Sequence, residues 1–340
     1  MNPANATFIP YPILLKPAYK DYIWGGNRIR ERYGRTVPLE VCAESWEISD
    51  RPEGMGVVTN GAYAGRTLGE LVAAFGQPLV GADHTGGPFP LLIKLIDARD
   101  DLSVQVHPNN ANAALTGGEP KTEMWVILDA APGARIYAGL QPGTTRESFL
   151  AALHAKRLGR DVLTAVLAVP GQAIFVPGGR VHAIGAGCLL LEVQQNSNTT
   201  HRVYDWDRGG ADGRPRELHI EQALAVIDWE RAEPEVITPV TATRGDGWER
   251  RPIITCPFFQ TTAYTLTAGC TFTNSGDSFH AIFIAAGHAS IAGGTESVTL
   301  AAGSSCLLPA GLPTYTVTPK AGPLHLIHIT TSFKQPECRR

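Results

Sequence analysis

The 36 glycines and 25 prolines of this chain break it into apolar runs too short for long helices. They fall between segments such as "PLLIKLIDA", "LSVQVH", "EMWVILDA", "ARIYAGL", "QAIFVPG", "CLLLEVQQ" and "RVYDW", most of them rich in β-branched or aromatic residues. Such punctuation predicts a mainly β chain built from short strands and tight turns.

Helices are fewer and are expected at about 66–76, 108–116, 144–169 and 217–228. Two of them announce their starts by capping boxes, Thr67-x-x-Glu70 before "LVAAFG" and Thr144-x-x-Glu147 before "SFLAALHAK". A further helix is expected from Asp161 to Val169. After Glu230 the composition changes: "RAEPEVITPVTATRGDG" reads as a connection spanning 233–251. Beyond Pro252 almost everything is strand and turn. The expected organisation is therefore a domain at 1–232 with helical insertions and a second β-sandwich or barrel at 252–340.

Composition narrows the function. Net charge is −3 with no Lys/Arg block, so neither a nucleic-acid stripe nor a polybasic membrane patch is indicated, and the expected partner is a small molecule. The six cysteines are scattered, without a C-x-x-C pair or a disulfide framework, which fits a reducing compartment. The first residues lack a basic stretch followed by an apolar one, and no run reaches the roughly 18 apolar residues of a membrane span. A cytoplasmic location is the expectation; the oligomeric state stays open.

The chemistry-bearing residues stand out against apolar strand patterns. In "SVQVHPNN" the alternation of a strand sends Gln105 and His107 to one face, and buried polar groups need partners. Glu123 in "KTEMW" and His182 in "PGGRVHAIG" supply a carboxylate and a second imidazole. Such a set suits Zn²⁺, with Mn²⁺, Fe²⁺ or Co²⁺ also possible, and it leaves a coordination position free, as in a catalytic site. Spacing alone does not separate this reading from ordinary core residues satisfied by their neighbours. Lys121, two residues before Glu123, projects to the same strand face. Glu192 sits in the apolar "LLLEVQQ", where a carboxylate needs a partner. His325 and His328 fall on opposite strand faces, and His280 and His288 flank a hydrophobic strand near solvent; all four read as structural. Trp24, Trp46 and Trp125 read as core or pocket wall.

"WGG" at Trp24, "ESWEIS" at Glu44, "PLLIKLIDARDDLSVQVHPNN", "GEPKTEMWVIL", "FVPGGRVHAIGAGCLLLEVQQNSNTTHRVYDWDR" and "RELHIEQAL" occur in one order along the chain. Together they resemble the type I mannose-6-phosphate isomerase family in its short bacterial form, from about Leu14 to Asp228. The resemblance implies two cupin-like jelly-roll β-barrels, the first with helical insertions. It implies one zinc ion per chain on Gln105, His107, Glu123 and His182, and interconversion of mannose 6-phosphate and fructose 6-phosphate through an enediol. Lys121, Glu192 and Arg202 take catalytic positions under it. Ser103 and Arg208 fall near the phosphate, and Trp24 and Glu44 border the substrate. Two departures are visible. "YDWDR" replaces the "T-P-K" lysine of longer relatives, and Asn198 stands where those relatives have an aspartate linked to ring opening; asparagine cannot transfer a proton. A sugar-binding sensor without turnover, or an isomerase of a different sugar, are the competing readings.

Overall fold

In the computed structural model, which describes residues 7–210, 213–230, 235–237, 241–331 and 338–339, the punctuated runs become antiparallel strands and the helices stay short. Two compact units result. One comprises 19–45 and 93–237; the other comprises 1–18, 46–92 and 238–340.

The strands of the first unit lie in two sheets. One runs in the order Glu235–Ile237, Ala173–Val176, Glu123–Ala130, Cys188–Gln195, Leu91–Ala98, Glu44–Ile48, Ala18–Lys20. The other runs His201–Tyr204, Val104–Val106, His182–Ile184, Arg135–Leu140, Leu163–Leu167. Trp125, Ile127, Ile174 and Leu190 from the first sheet and Ile136, Ala138 and Ile184 from the second form one buried cluster. The second sheet covers another cluster with the helices Arg146–His154, Leu158–Asp161 and Ile220–Val226, through Val104, Val106, Phe149, Leu158, Ala223 and Leu224. Period-two alternation therefore serves two cores: Val104 and Val106 face the helices, and the residues between and after them face the other way.

Register sets the site. His182 and Arg202 each pair directly with Gln105, from the two strands flanking Val104–Val106. In the other sheet Glu123 is opposite both Val176 and Gln194, and Glu192 is opposite Trp125. Cross-strand partners share a face, so Gln105, His182 and Arg202 form one row.

The second unit has two larger sheets, one in the order Thr243–Gly245, Trp248–Thr255, Gln260–Leu266, Leu324–Thr330, His280–Ala286, Ser305–Leu308 and one in the order Glu296–Ala301, His288–Gly293, Thr314–Pro319, Cys270–Thr273, Cys338–Arg339, beside a two-stranded pair of Leu15–Lys16 with Val57–Val58. Their core includes Tyr264, Phe272, Ile282, Ile291, Tyr315 and Leu326. Among the described residues all these sheets are open and none closes into a barrel.

Several expectations change. The boundary near 232 is replaced by an interleaved division, because 46–92 packs with the late strands. Ile13 and Leu307 exchange backbone hydrogen bonds, Ala310 N–H donates to Leu79 O, and the Phe89 and Phe279 rings lie 4.4 Å apart. Part of the expected connection at 233–251 is strand, and its residues 233–234 and 238–240 lie outside the described set. Leu163–Leu167 is strand where a helix was expected over 161–169: Thr164 and Val166 are β-branched, and pairing with Arg135–Leu140 outweighs local propensity. The Thr67–Glu70 capping box forms as read, before the helix Leu68–Phe75. The second box is shifted by one residue, with Thr145 and Ser148 capping each other's backbone. The other two helices shrink to Ala113–Thr116 and Ile220–Val226. Cys42, Cys188, Cys256 and Cys306 are buried thiols outside any disulfide, whereas Cys270 is disulfide-bonded, a bond the scattered cysteines did not foretell.

His280 is another correction. Rather than lying near solvent, it shares the inward face with Ile282 and Ile284, its Nδ1 is 2.9 Å from the Tyr315 hydroxyl, and its ring centroid is 4.4 Å from that of His328. His325 and His328 do lie on opposite faces, one exposed and one buried. Burial pushes both inward imidazoles down, His280 to about 3. An unfolded histidine titrates near 6.5, so between about pH 6.5 and 3 the unfolded chain binds protons that the folded one refuses, and stability present above pH 6.5 is lost as pH falls. The urea midpoint is expected to drop between pH 7 and pH 5, and to drop less in His328→Leu; an equal drop in both would refute the role given to this pair.

Candidate active site

Three strands, Val104–Val106 with the His107 that follows it, Glu123–Ala130 and His182–Ile184, bring the metal-capable side chains to one point. His107 Nε2 lies 3.6 Å from Glu123 Oε2 and His182 Nε2 lies 3.3 Å from Glu123 Oε1, with all three residues buried. Their donor atoms fall within 4.8 Å of one another. Gln105 Nε2 is 3.2 Å from His182 Nε2, so the amide joins the same cluster. His182 Nδ1 is 2.9 Å from the Arg180 carbonyl. That contact places the ring proton on Nδ1 and leaves Nε2 as a lone-pair donor, the usual arrangement behind a metal-binding histidine.

The donor set fits a divalent transition metal. Burial holds His107 and His182 well below the ordinary imidazole range, His182 at about 3, so both rings are neutral and able to ligate. Glu123 is fully buried, and burial pushes its carboxyl up against the pull of the Lys121 ammonium, 2.9 Å from Oε2. Lys121 reaches one of the two carboxylate oxygens, and a divalent cation among the Glu123, His107 and His182 donor atoms would serve the other.

A second network adjoins the first. Lys121 Nζ is 2.9 Å from Glu123 Oε2 and 3.2 Å from His107 Nε2. Lys94 Nζ is 3.1 Å from Glu192 Oε1 and 3.7 Å from Glu44 Oε2. Trp125 Nε1 donates to Glu192 Oε2 at 3.0 Å. Burial alone would raise the Glu192 carboxyl, but the Lys94 and Lys121 cations hold it down at about 2, so it stays ionised. Burial likewise works to lower Lys94, and Glu192 and Glu44 outweigh it, fixing the ammonium in its charged form.

These groups line one cavity of about 320 Å³. Lys94, Lys121, Gln105, Glu44 and Glu192 are on its wall, as are Trp24, Ser103, Asn198, Arg202 and Arg216. Arg202 Nε donates to Ser103 Oγ at 3.3 Å, and Ser103 Oγ lies 3.4 Å from Gln105 Oε1. One polar strip thus runs from the imidazoles to two guanidinium groups, and the space suits a small polyol carrying an anion.

A family model described as phosphomannose isomerase type I, catalytic domain, matches residues 13–137, and a mannose-6-phosphate isomerase cupin domain matches 251–329. The mannose-6-phosphate isomerase of Streptococcus mutans is 38% identical over 299 residues, covering 88% of this chain and 92% of its own. The chain belongs to the type I mannose-6-phosphate isomerase family. Mannose-6-phosphate isomerase ManA of Bacillus subtilis is 43% identical over 223 residues, covering 64% of this chain and 68% of its own. A crystal structure of a mannose 6-phosphate isomerase from Bacillus subtilis superposes with a TM-score of 0.86 at 31% identity, covering 94% of this chain and 99% of that one. A variant of phosphomannose isomerase from Salmonella typhimurium, at 17% identity and a TM-score of 0.73, shares the fold.

Against this family membership, the residues singled out in the sequence divide clearly. Gln105, His107, Glu123, His182, Lys121, Glu192, Arg202, Ser103, Trp24 and Glu44 converge on the cavity or on the cluster at its end. Arg208 is not on the cavity wall; its Nε and Nη2 both donate to Asp205 Oδ1. Asn198, the departure from longer relatives, does line the cavity. Two residues were missed. Lys94 is a lone charge in the apolar "PLLIKLIDA", and the rule that flagged Glu192, that a buried charge needs a partner, would have found it. Arg216 sits in "GRPRELH", a loop without periodicity; it opens the segment "RELHIEQAL" that shares in the family resemblance, but no strand or helix pattern gave it a face.

Proposed function

We propose that this chain interconverts mannose 6-phosphate and fructose 6-phosphate, with one zinc ion held by Gln105, His107, Glu123 and His182. The observation that carries the reading is the convergence of this donor set with Lys94, Lys121 and Glu192 in a cavity whose other end holds Arg202 and Arg216. Bound there, the metal would act as a Lewis acid toward the sugar oxygens at C1 and C2. Lys94, kept charged by Glu192 and Glu44, offers a fixed cation to the oxyanion that develops as the enediol forms. Glu192, kept ionised, is the counter-charge that aims Lys94 rather than a strong base. Lys121, on the cavity wall, is the group we assign to proton movement between C1 and C2. Arg202 and Ser103 orient the sugar.

At the far end we assign the phosphate to Arg216 with Arg202. Asp205 accepts from Nε and Nη2 of Arg216 and also holds Arg208; Arg216 lies on the cavity wall and Arg208 does not, so Arg208 braces the loop while Arg216 faces the cavity with its remaining donors. A guanidinium suits a phosphate by its paired donors. Arg216→Gln is expected to raise KM for mannose 6-phosphate about 10-fold or more with little change in kcat, the signature of lost uniform binding, and Arg208→Gln to do markedly less. The reverse order of effects would move the phosphate to Arg208.

The sheet pairs in each unit support a jelly-roll reading of both. A sensor without turnover would have no use for the Lys94, Lys121 and Glu192 set. Equal kcat/KM for mannose and mannose 6-phosphate would shift the substrate away from the phosphorylated sugar.

A further inference from the structure

On the same unit as the catalytic cavity there is a larger open cleft of about 940 Å³, lined by residues that the isomerase reading does not use. Tyr137, Tyr204 and Trp206 form an aromatic wall, with the Trp206 ring centroid 6.0 Å from Tyr137 and 5.3 Å from Tyr204. Arg135, Lys156 and Arg157 line it, and no carboxylate does so among the described residues. Lys156 is paired with Asp207 at 3.0 Å and Arg157 with Asp161 at 2.7 Å, whereas Arg135 makes no ion pair among the described residues. Lys156, Trp206 and Asp207 are the non-glycine residues with positive φ among those described, at 58°, 57° and 55°. Left-handed backbone is disfavoured for a side chain as large as tryptophan, and here it coincides with two roles for one ring. The indole lines the cleft, and its Nε1 donates to Leu102 O at 2.7 Å, next to Ser103 on the catalytic cavity.

We propose that this cleft is a second ligand site, separate from the catalytic one, that takes a nucleotide. Its volume, about 940 Å³ against about 320 Å³ for the catalytic cavity, is in keeping with a larger ligand. The aromatic wall stacks a base, and any base has a π-face to offer. The cationic rim, led by Arg135, takes the phosphates. Through Trp206 and Leu102 an occupant bears on the segment that carries Ser103 into the strand Val104–Val106, so binding is coupled to substrate affinity.

Calorimetric titration of the full chain with ADP tests this, with adenosine, inorganic phosphate and mannose 6-phosphate as comparators. ADP is expected to bind saturably at one site, with adenosine and phosphate each at least tenfold weaker. Trp206→Leu and Arg135→Gln are expected to weaken ADP at least tenfold. Arg202→Gln, altered only in the catalytic cavity, keeps it, and mannose 6-phosphate does not compete. Saturating ADP shifts KM for mannose 6-phosphate at least twofold in the wild type and not in Arg135→Gln. The site is refuted by absence of saturable ADP binding to the folded wild type, by binding indifferent to Arg135→Gln, or by displacement with mannose 6-phosphate, which would assign the ADP to the catalytic cavity. An unchanged KM refutes the coupling.

Discussion

Replacing Glu123 by glutamine is expected to remove bound zinc and to lower turnover of mannose 6-phosphate by on the order of 10³-fold. Glu123 is the central donor: it is the residue within 3.6 Å of both His107 and His182, and it is fully buried. A Lewis acid supplies several kcal/mol of charge stabilisation, and about 4 kcal/mol corresponds to about 10³ in rate. The amide keeps the volume and removes the charge, so the loss reports ligation rather than packing. Stability offers an independent readout. Zinc binding only to the folded chain raises its melting temperature by mass action, and Glu123→Gln is expected to lose that rise; because the change also takes the carboxylate from Lys121, the readout is the zinc-induced rise in each protein rather than the melting temperature itself. A variant that keeps stoichiometric zinc and wild-type turnover would remove Glu123 from the metal site.

Lys94→Met carries the largest expected effect on stability. The Lys94 side chain is only 6% exposed and is placed between the Glu192 and Glu44 carboxylates, with Glu192 at 3.1 Å. Removing the cation takes away the nearest compensating charge of Glu192, leaving it the Trp125 Nε1 hydrogen bond and the Lys121 charge, and breaking such a buried pair costs about 3–5 kcal/mol. Adding Glu192→Gln removes one stranded charge, so the double variant is expected to be more stable than Lys94→Met alone, a positive coupling of the kind that a double-mutant cycle isolates. Turnover is not regained in the double variant, because the fixed cation for the developing oxyanion is gone in both. Denaturant midpoints and kcat measured on the four proteins of the cycle separate the structural part from the chemical one. Additive stability effects would deny the pairing, and restored turnover would deny Lys94 its place in the reaction.

What the sequence revealed follows the range of the forces involved. Gln105 and His107 were legible because strand alternation is local, and the observed register places Gln105 beside His182 and Arg202. Glu192 was legible because a charge in an apolar run demands a partner; Lys94, its partner, carried the same signal in "PLLIKLIDA" and was passed over. Arg216 faces the cavity from a loop through its contact with Asp205, eleven residues away, and no period or propensity marks such a placement. The strand at Leu163–Leu167 was misread because "LTAVL" suits either state locally and pairing with Arg135–Leu140 decides it. The interleaved units escaped for the same reason. Contacts such as Phe89 with Phe279 join segments far apart in the chain, and a composition shift marks only where the chain changes character.

The central claim is that one divalent metal at Gln105, His107, Glu123 and His182 makes this chain a mannose 6-phosphate isomerase, and one measurement addresses it directly. Fructose 6-phosphate formation from mannose 6-phosphate is followed for the full chain as purified, after chelation, and after addition of one equivalent of zinc. The account predicts activity in the first, loss in the second and recovery in the third. Undiminished turnover in protein shown to be free of metal, or no turnover in protein shown to be fully loaded, would contradict it.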